Sequence, residues 1–176
     1  MNDKILVTYA TRTGSTKEIS TFIGVTLCEL GEQVDVIPMQ DVTDLSAYKA
    51  VIAGSAIQAN MWLPEAIDFI NTYKNEFPQK PLAVFLVCLT LAMSKGEAYR
   101  TTVSGWLEPV RNLVSPVSEG LFKGVLDIKK IPSFGDRLKF RISVWFNVWK
   151  EGDHRDWNAI QDWTISTKSI FDNALK

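Results

Sequence analysis

Cysteine and histidine are almost absent, with two cysteines and one histidine in 176 residues. So small a supply excludes a four-ligand structural zinc site and a disulfide framework. Cys28 falls within an apolar helical pattern and Cys88 within an apolar run, so both read as small core residues in a reducing compartment. No uncharged apolar run approaches the roughly eighteen residues that a membrane-crossing helix needs. A strand-like pattern begins within a few residues of Met1, so no cleavable signal is expected. Internal repeats, low-complexity tracts and a linker are also missing. What remains, 46% hydrophobic with a formal net charge of −1, fits one soluble globular domain over residues 1–176.

Strand-like and helix-like segments alternate along the chain. Ile5–Ala10, Val34–Ile37, Tyr48–Gly54, Pro81–Cys88 and Leu121–Leu126 read as strands, the last weakened by Gly124. Helical spacing occupies the segment carrying Ile19, Phe22, Ile23, Leu27 and Leu30, which Gly31 stops, and returns over Leu63–Tyr73 with Pro64 in its first turn. Glu97–Val114 reads as a helical crossover in two parts, interrupted at Pro109, and Trp157–Ala174 as a final helix with Asp156 as N-cap. Pro81–Cys88 is apolar throughout, as a central parallel strand covered on both faces would be. Five such βα units make a doubly wound parallel α/β sheet, whose ligands bind beyond the carboxyl ends of the strands.

The most informative stretch is Thr11-Arg12-Thr13-Gly14-Ser15-Thr16, between the first strand and the first helix. The first N–H groups of a helix lack intrahelical partners and carry partial positive charge, which suits an anion. Thr11, Thr13, Ser15 and Thr16 add hydroxyl donors, and Gly14 permits close backbone approach. The loop lacks both the lysine of an NTP loop and the three glycines of a dinucleotide turn, so a monophosphate is the better occupant. The alternative is a Ser/Thr-rich turn that only caps the helix.

With a phosphate fixed there, a planar ring would be gripped by the loops after the third and fourth strands. These read Gly54-Ser55-Ala56-Ile57-Gln58-Ala59-Asn60-Met61-Trp62 and Leu89-Thr90-Leu91-Ala92. Small residues expose backbone amides, Gln58 and Asn60 supply side-chain hydrogen bonds, and Met61, Trp62, Leu89 and Leu91 supply apolar faces. Trp62 reads equally well as a helix-start residue packed on its own domain. Ser55 and Thr90 fit either ligand contact or turn formation.

The strand with its T-R-T-G-S-T loop, the G-S-A-I-Q-A-N-M-W-L-P-E-A segment, V-C-L-T-L and the late E-G-D-H-R-D-W resemble flavodoxin-domain proteins of the menaquinone-dependent protoporphyrinogen oxidase type. The resemblance runs essentially end to end. It implies a flavodoxin-like sheet of order 2-1-3-4-5, noncovalent FMN, an insert after the fifth strand, electron transfer to a quinone and protoporphyrinogen as a donor. Carrier flavodoxins are markedly acidic, whereas this chain has a pI near 5.9 and a basic segment. A soluble electron carrier and a cofactor-free interaction module of the same fold are the rival readings.

That basic segment contains the insert, residues 127–152. Lys123, Lys129, Lys130, Arg137, Lys139, Arg141 and Lys150 outweigh Asp127 and Asp136 between positions 121 and 150. If 134–150 is helical, Leu138, Ile142, Trp145, Phe146 and Trp149 form a stripe about 100° wide, with Phe140 and Asn147 opposite. Three fates fit the stripe: packing on its own domain, an anionic membrane surface, or a partner such as a second copy. A cytoplasmic protein is expected, peripheral to the inner face of the cell membrane if the stripe docks there, and no nucleic-acid partner. His154 reads as a loop histidine with local partners or, less simply, as a proton-transfer group.

Overall fold

The computed structural model describes residues 3–93, 95–131, 133–146 and 148–176. Asn147, expected opposite the insert's stripe, lies outside them. Strands β1 (Lys4–Ala10), β2 (Gln33–Pro38), β3 (Tyr48–Gln58), β4 (Met61–Trp62), β5 (Leu82–Cys88) and β6 (Ser118–Lys123) form one sheet of order β2-β1-β3-β5-β6, with β4 paired to β3. All neighbours on that path are parallel, and only the two-residue β4 runs antiparallel to its partner. Counting the five long strands alone, the order is the 2-1-3-4-5 expected of this class.

Both faces of the sheet are covered, which is why its central strands are apolar without alternation. Helix α1 (Ser15–Glu29) and helix α6 (Trp157–Ala174) cover one face, packing Ile19, Ile23, Leu27, Ile160 and Phe171 against Ile5, Val7, Ile52, Phe85 and Val87. Helices α2 (Pro64–Tyr73), α3 (Arg100–Gly105) and α4 (Glu108–Arg111) cover the other, burying Ala66, Phe69, Ile70, Val103 and Val110 against Leu6, Val51, Leu82 and Leu86. Phe85 needs a glycine beside it: a Cβ at Gly54 would lie 2.0 Å from its ring. Its neighbours Phe122 and Trp163 complete an aromatic cluster with centroids 5.4 to 5.9 Å apart.

Several sequence expectations change once the chain is packed. The third strand runs four residues past Gly54, because Ala59 (φ 50°) and Asn60 (φ 64°) make a two-residue turn whose positive φ values return the chain as β4. The fifth long strand begins at Ser118 and ends at Lys123. At Gly124 the chain leaves the sheet, and β7 (Val125–Leu126) pairs instead with β8 (Gly152–Asp153), clasping the ends of the insert. Pro109 sits in the first turn of α4, so it starts the second helix of the crossover rather than interrupting one helix. Cys28 is exposed on α1, not in the core, while Cys88 is buried. The insert helix α5 spans Phe134–Trp145, so Trp149 falls beyond its end and leaves the stripe, its ring 6.3 Å from that of Phe140. No residue of α5 is buried, which overturns packing of the stripe into the domain's own core.

Candidate functional site

The loop between β1 and α1 is built as an open helix end. Gly14 is the N-cap residue, at φ 95°, a left-handed conformation in which a side chain would be strained. Its own N–H donates to Thr11 Oγ1 at 3.1 Å, which shapes the turn. No side chain caps α1, and the first helical bond runs from the Glu18 N–H to the Gly14 carbonyl, 3.1 Å. The N–H groups ahead of it are therefore left to an outside acceptor. Thr13 and Ser15 are half-buried beside them. Thr16 is fully buried, and its Oγ1 has no hydrogen-bond partner.

Arg12 turns away from this concavity. Its guanidinium forms a two-pronged ion pair with Glu65 in the first turn of α2, the second prong 3.0 Å long. That bond holds the Glu65 carboxyl below the usual carboxylate range and raises Arg12. Arg12 thus acts as a strut between the loop and α2.

A cleft of about 70 Å3 opens beside the loop, lined by Thr13, Ser15, Glu18, Val125, Asp127, Lys130 and Arg155. Its far wall comes from the ends of the insert, residues that sequence reasoning did not assign to the site. The Arg155 side chain is 8% exposed, bonded to Asp153 at 2.6 Å and to Glu18 at 2.5 Å, and its guanidinium lies 4.4 Å from the Trp157 ring centroid. All its polar edges are engaged, so Arg155 anchors the insert to α1. Asp153 is correspondingly held low by the Arg155 hydrogen bond. Lys130 is exposed, and among the described residues it makes no ion pair. The only signal that could have found it was the positive balance of the segment. A larger cleft, about 190 Å3, lies between β6 and α6 and is lined by residues that include Glu97, Arg100, Glu119 and Trp163.

The two loops expected to flank a ring lie at the same end of the sheet, but they divide their residues between ligand side and core. Gln58, Ala59, Asn60 and Met61 are exposed at the hairpin tip, and Ala56 and Ile57 are half-buried. Ser55 is fully buried, and its Oγ donates to the Ala56 carbonyl (2.8 Å) and accepts from the Leu63 N–H (3.0 Å), so its hydroxyl is spent inside the fold. Trp62 is 3% exposed within the core beside α2, which removes its ring face from the surface, although its Nε1 has no partner. After β5, Leu89 and Thr90 are half-buried and Thr90–Ala92 forms a 3-10 turn that buries Leu91. Burial pushes the Cys88 thiol upward at the strand end beneath that turn. His154 has local partners: its ring meets the Lys150 carbonyl at 2.7 Å, and its N–H donates to the Gly124 carbonyl. Among the described residues no cluster of His, Cys, Asp and Glu could hold a metal ion.

Solved structures similar to this fold include flavodoxins and a larger oxidoreductase. A flavodoxin from the domain Archaea is 20% identical, covers 98% of this chain and 99% of its own, and superposes with a TM-score of 0.55. Flavodoxin 2 of Bacillus cereus is 23% identical with a TM-score of 0.55, over 97% and 98% of the two chains. Rubredoxin oxygen:oxidoreductase of Desulfovibrio gigas is 18% identical with a TM-score of 0.53; the match covers 97% of this chain and only 37% of that one. At these identities the likeness is one of fold. No curated protein sequence matches the chain. The family model described as a flavodoxin domain matches residues 6–156, which takes in the open helix end, the loops after β3 and β5, and the insert. By that match, the chain belongs to the flavodoxin-domain family.

Proposed function

We propose that this chain binds FMN at the carboxyl end of its sheet and works as a flavin-dependent redox protein that passes electrons to a quinone, with protoporphyrinogen as a donor. The observation that carries the cofactor is the uncapped start of α1. A helix end with free N–H groups, a left-handed Gly14, half-buried Thr13 and Ser15 hydroxyls and an orphaned Thr16 hydroxyl matches the chemistry of a phosphate monoester. Thr13 and Ser15 would donate to the phosphate, while Arg12 holds the loop through Glu65. Gln58 and Asn60, exposed at the hairpin tip, would bond the ring's polar edge, with Leu89 and Met61 as apolar walls. FMN, when bound, supplies the electron-transfer chemistry, and the protein supplies orientation and electrostatics.

The quinone reading rests on the end-to-end family resemblance and on the character of the hairpin tip. Gln58, Ala59, Asn60 and Met61 are all uncharged, and the nearby Glu65 is neutralised by Arg12. A carrier that docks on basic protein partners gains from an acidic rim, whereas a neutral tip suits a small uncharged acceptor. A soluble carrier remains the second reading, favoured by the likeness to flavodoxins along almost the whole chain. A visible spectrum of the purified protein tests for the flavin. Anaerobic reduction with protoporphyrinogen or NAD(P)H, then reoxidation with a short-chain menaquinone or a one-electron protein acceptor, tests the rest. Faster reoxidation by the quinone is expected, and preference for the protein acceptor would establish the carrier.

A further inference from the structure

We propose that α5 is a docking face for an anionic lipid surface, laid flat on the headgroups through Phe134, Leu138, Ile142, Trp145 and Phe146. The observation is a helix turned inside out. At about 100° per residue, Asp136, Arg137, Phe140, Ser143 and Val144 share one side, and all are half-buried. The opposite side carries the five apolar residues on an arc of about 120°, and all are exposed. Phe134 is 80% exposed, Trp145 84% and Phe146 70%. A helix kept for the fold alone would turn these inward.

Charge decides the occupant. Arg141 borders the arc on one side and Lys139 on the other, while Lys129, Lys130 and Lys150 are exposed just before and after the helix. The one carboxylate on α5, Asp136, lies on the half-buried side and pairs with Lys139 at 3.3 Å. A lipid surface rich in phosphate complements that border, and its interface accepts protruding rings one at a time. A second copy docking by two-fold symmetry would set the same cationic border against itself. The face is also a single exposed helix, convex and one helix wide, a shape unlike the well-packed centre of a protein interface. No helix among the described residues is long and apolar enough to cross a membrane, so the contact is a surface one.

The inference goes beyond the redox reading and stands on α5 alone. The test uses the full chain with vesicles of phosphatidylcholine, with or without phosphatidylglycerol, and measures cosedimentation and tryptophan fluorescence. The parent should bind the mixed vesicles and lose affinity as salt rises. Trp145→Ser with Phe146→Ser should weaken that binding about tenfold or more. Lys139→Gln with Arg141→Gln should weaken it about fivefold per charge on mixed vesicles only. Circular dichroism and an FMN titration on the same samples distinguish misfolding, or failure of the cofactor reading, from failure of docking. A folded parent that ignores both vesicle types, or a Trp145→Ser/Phe146→Ser variant that binds as the parent does, would overturn the proposal. So would a vesicle-free dimer in sedimentation velocity that the same variant dissolves, which would give the face to a second copy.

Discussion

Two aromatic groups in this molecule have nearly the same ring spacing and opposite surroundings. Phe122 and Trp163 lie 5.4 Å apart and close over the buried Phe85, while Trp145 and Phe146 lie 5.6 Å apart with both rings exposed. The first group is held by glycines on neighbouring strands: Gly54 clears the volume that the Phe85 ring occupies, and Gly120 that of the Phe122 ring. The second sits on a helix with no buried residue, tethered at its ends by the 3-10 turn Ile128–Lys130 before it and by the β7–β8 pair with its Arg155 tie to Glu18 around it. Ring pairing alone therefore says nothing about burial. What differs is how many layers of chain meet at the ring.

The largest expected effect sharpens that contrast in stability. Phe85→Ala removes a fully buried ring between two strands and should cost about 3 to 5 kcal/mol. Trp145→Ala should stay within about 0.5 kcal/mol, as other exposed substitutions do. Urea unfolding of the two variants gives the comparison directly, and similar costs would mean that the insert is packed in solution.

Next in size is the loss of phosphate contacts at the open helix end. A charge-assisted hydrogen bond contributes about 1.5 to 3 kcal/mol, so Thr13→Ala should weaken FMN roughly tenfold or more. Gly14→Val should do worse, because at φ 95° a side chain strains the turn, and it would stand in the way of the backbone's approach to the phosphate. Riboflavin, which lacks the phosphate, should bind Thr13→Ala and the parent alike. FMN affinity unchanged in both variants would place the phosphate elsewhere.

A smaller effect tests whether the insert completes the phosphate site. Lys130 lines the cleft with Thr13 and Ser15, and an exposed ion pair contributes about 0.2 to 1 kcal/mol. Lys130→Ala should weaken FMN by about twofold to fivefold at low salt and hardly at all at high salt. A fluorescence titration at two salt concentrations is sufficient, and no difference at either would confine the site to the β1–α1 loop.

The smallest concerns the sheet's own pH response. Tyr48 donates to Asp35 at 3.1 Å, and Lys4 pairs with the same carboxylate, tying the amino ends of three strands. Burial, then the Asp35 hydrogen bond, pushes the Tyr48 hydroxyl up from 10.0 to about 12. A raised value means that the folded state prefers the neutral phenol, so this contribution is complete below about pH 10 and fades as pH rises towards 12. Tyr48→Phe should lack that alkaline component in urea midpoints measured across the window. An identical alkaline slope in the variant would assign the loss to other groups.

Much of the fold and part of the site are legible in the residues themselves. The apolar run Leu82–Cys88 is buried at every position, as a strand covered on both faces must be. Asp156 accepts from the Ala159 N–H and starts α6 where its cap chemistry predicts. The stretch from Thr11 to Thr16 stands between strand and helix, as its glycine and hydroxyls indicate. These features depend on neighbours along the chain. Periodicity, capping and turn preference act over a few residues, so sequence carries them.

Contacts between distant residues were settled only by the tertiary structure. Ser55 and Trp62 read either as ligand-side residues or as residues spent on the fold, and the hairpin at Ala59–Asn60 folds them against Leu63 and the core. Arg12 reads as part of a phosphate loop, but it spends its charge on Glu65, 53 positions away. Gly124 reads as a weak point within one strand, but its carbonyl accepts from His154 and the chain leaves the sheet there. For α5, sequence determined an apolar stripe with basic borders, and the fold determined that the stripe faces outward. A side chain's period along a helix is a local property, whereas the surface that covers it belongs to chain far away in sequence, and only packing brings the two together or keeps them apart.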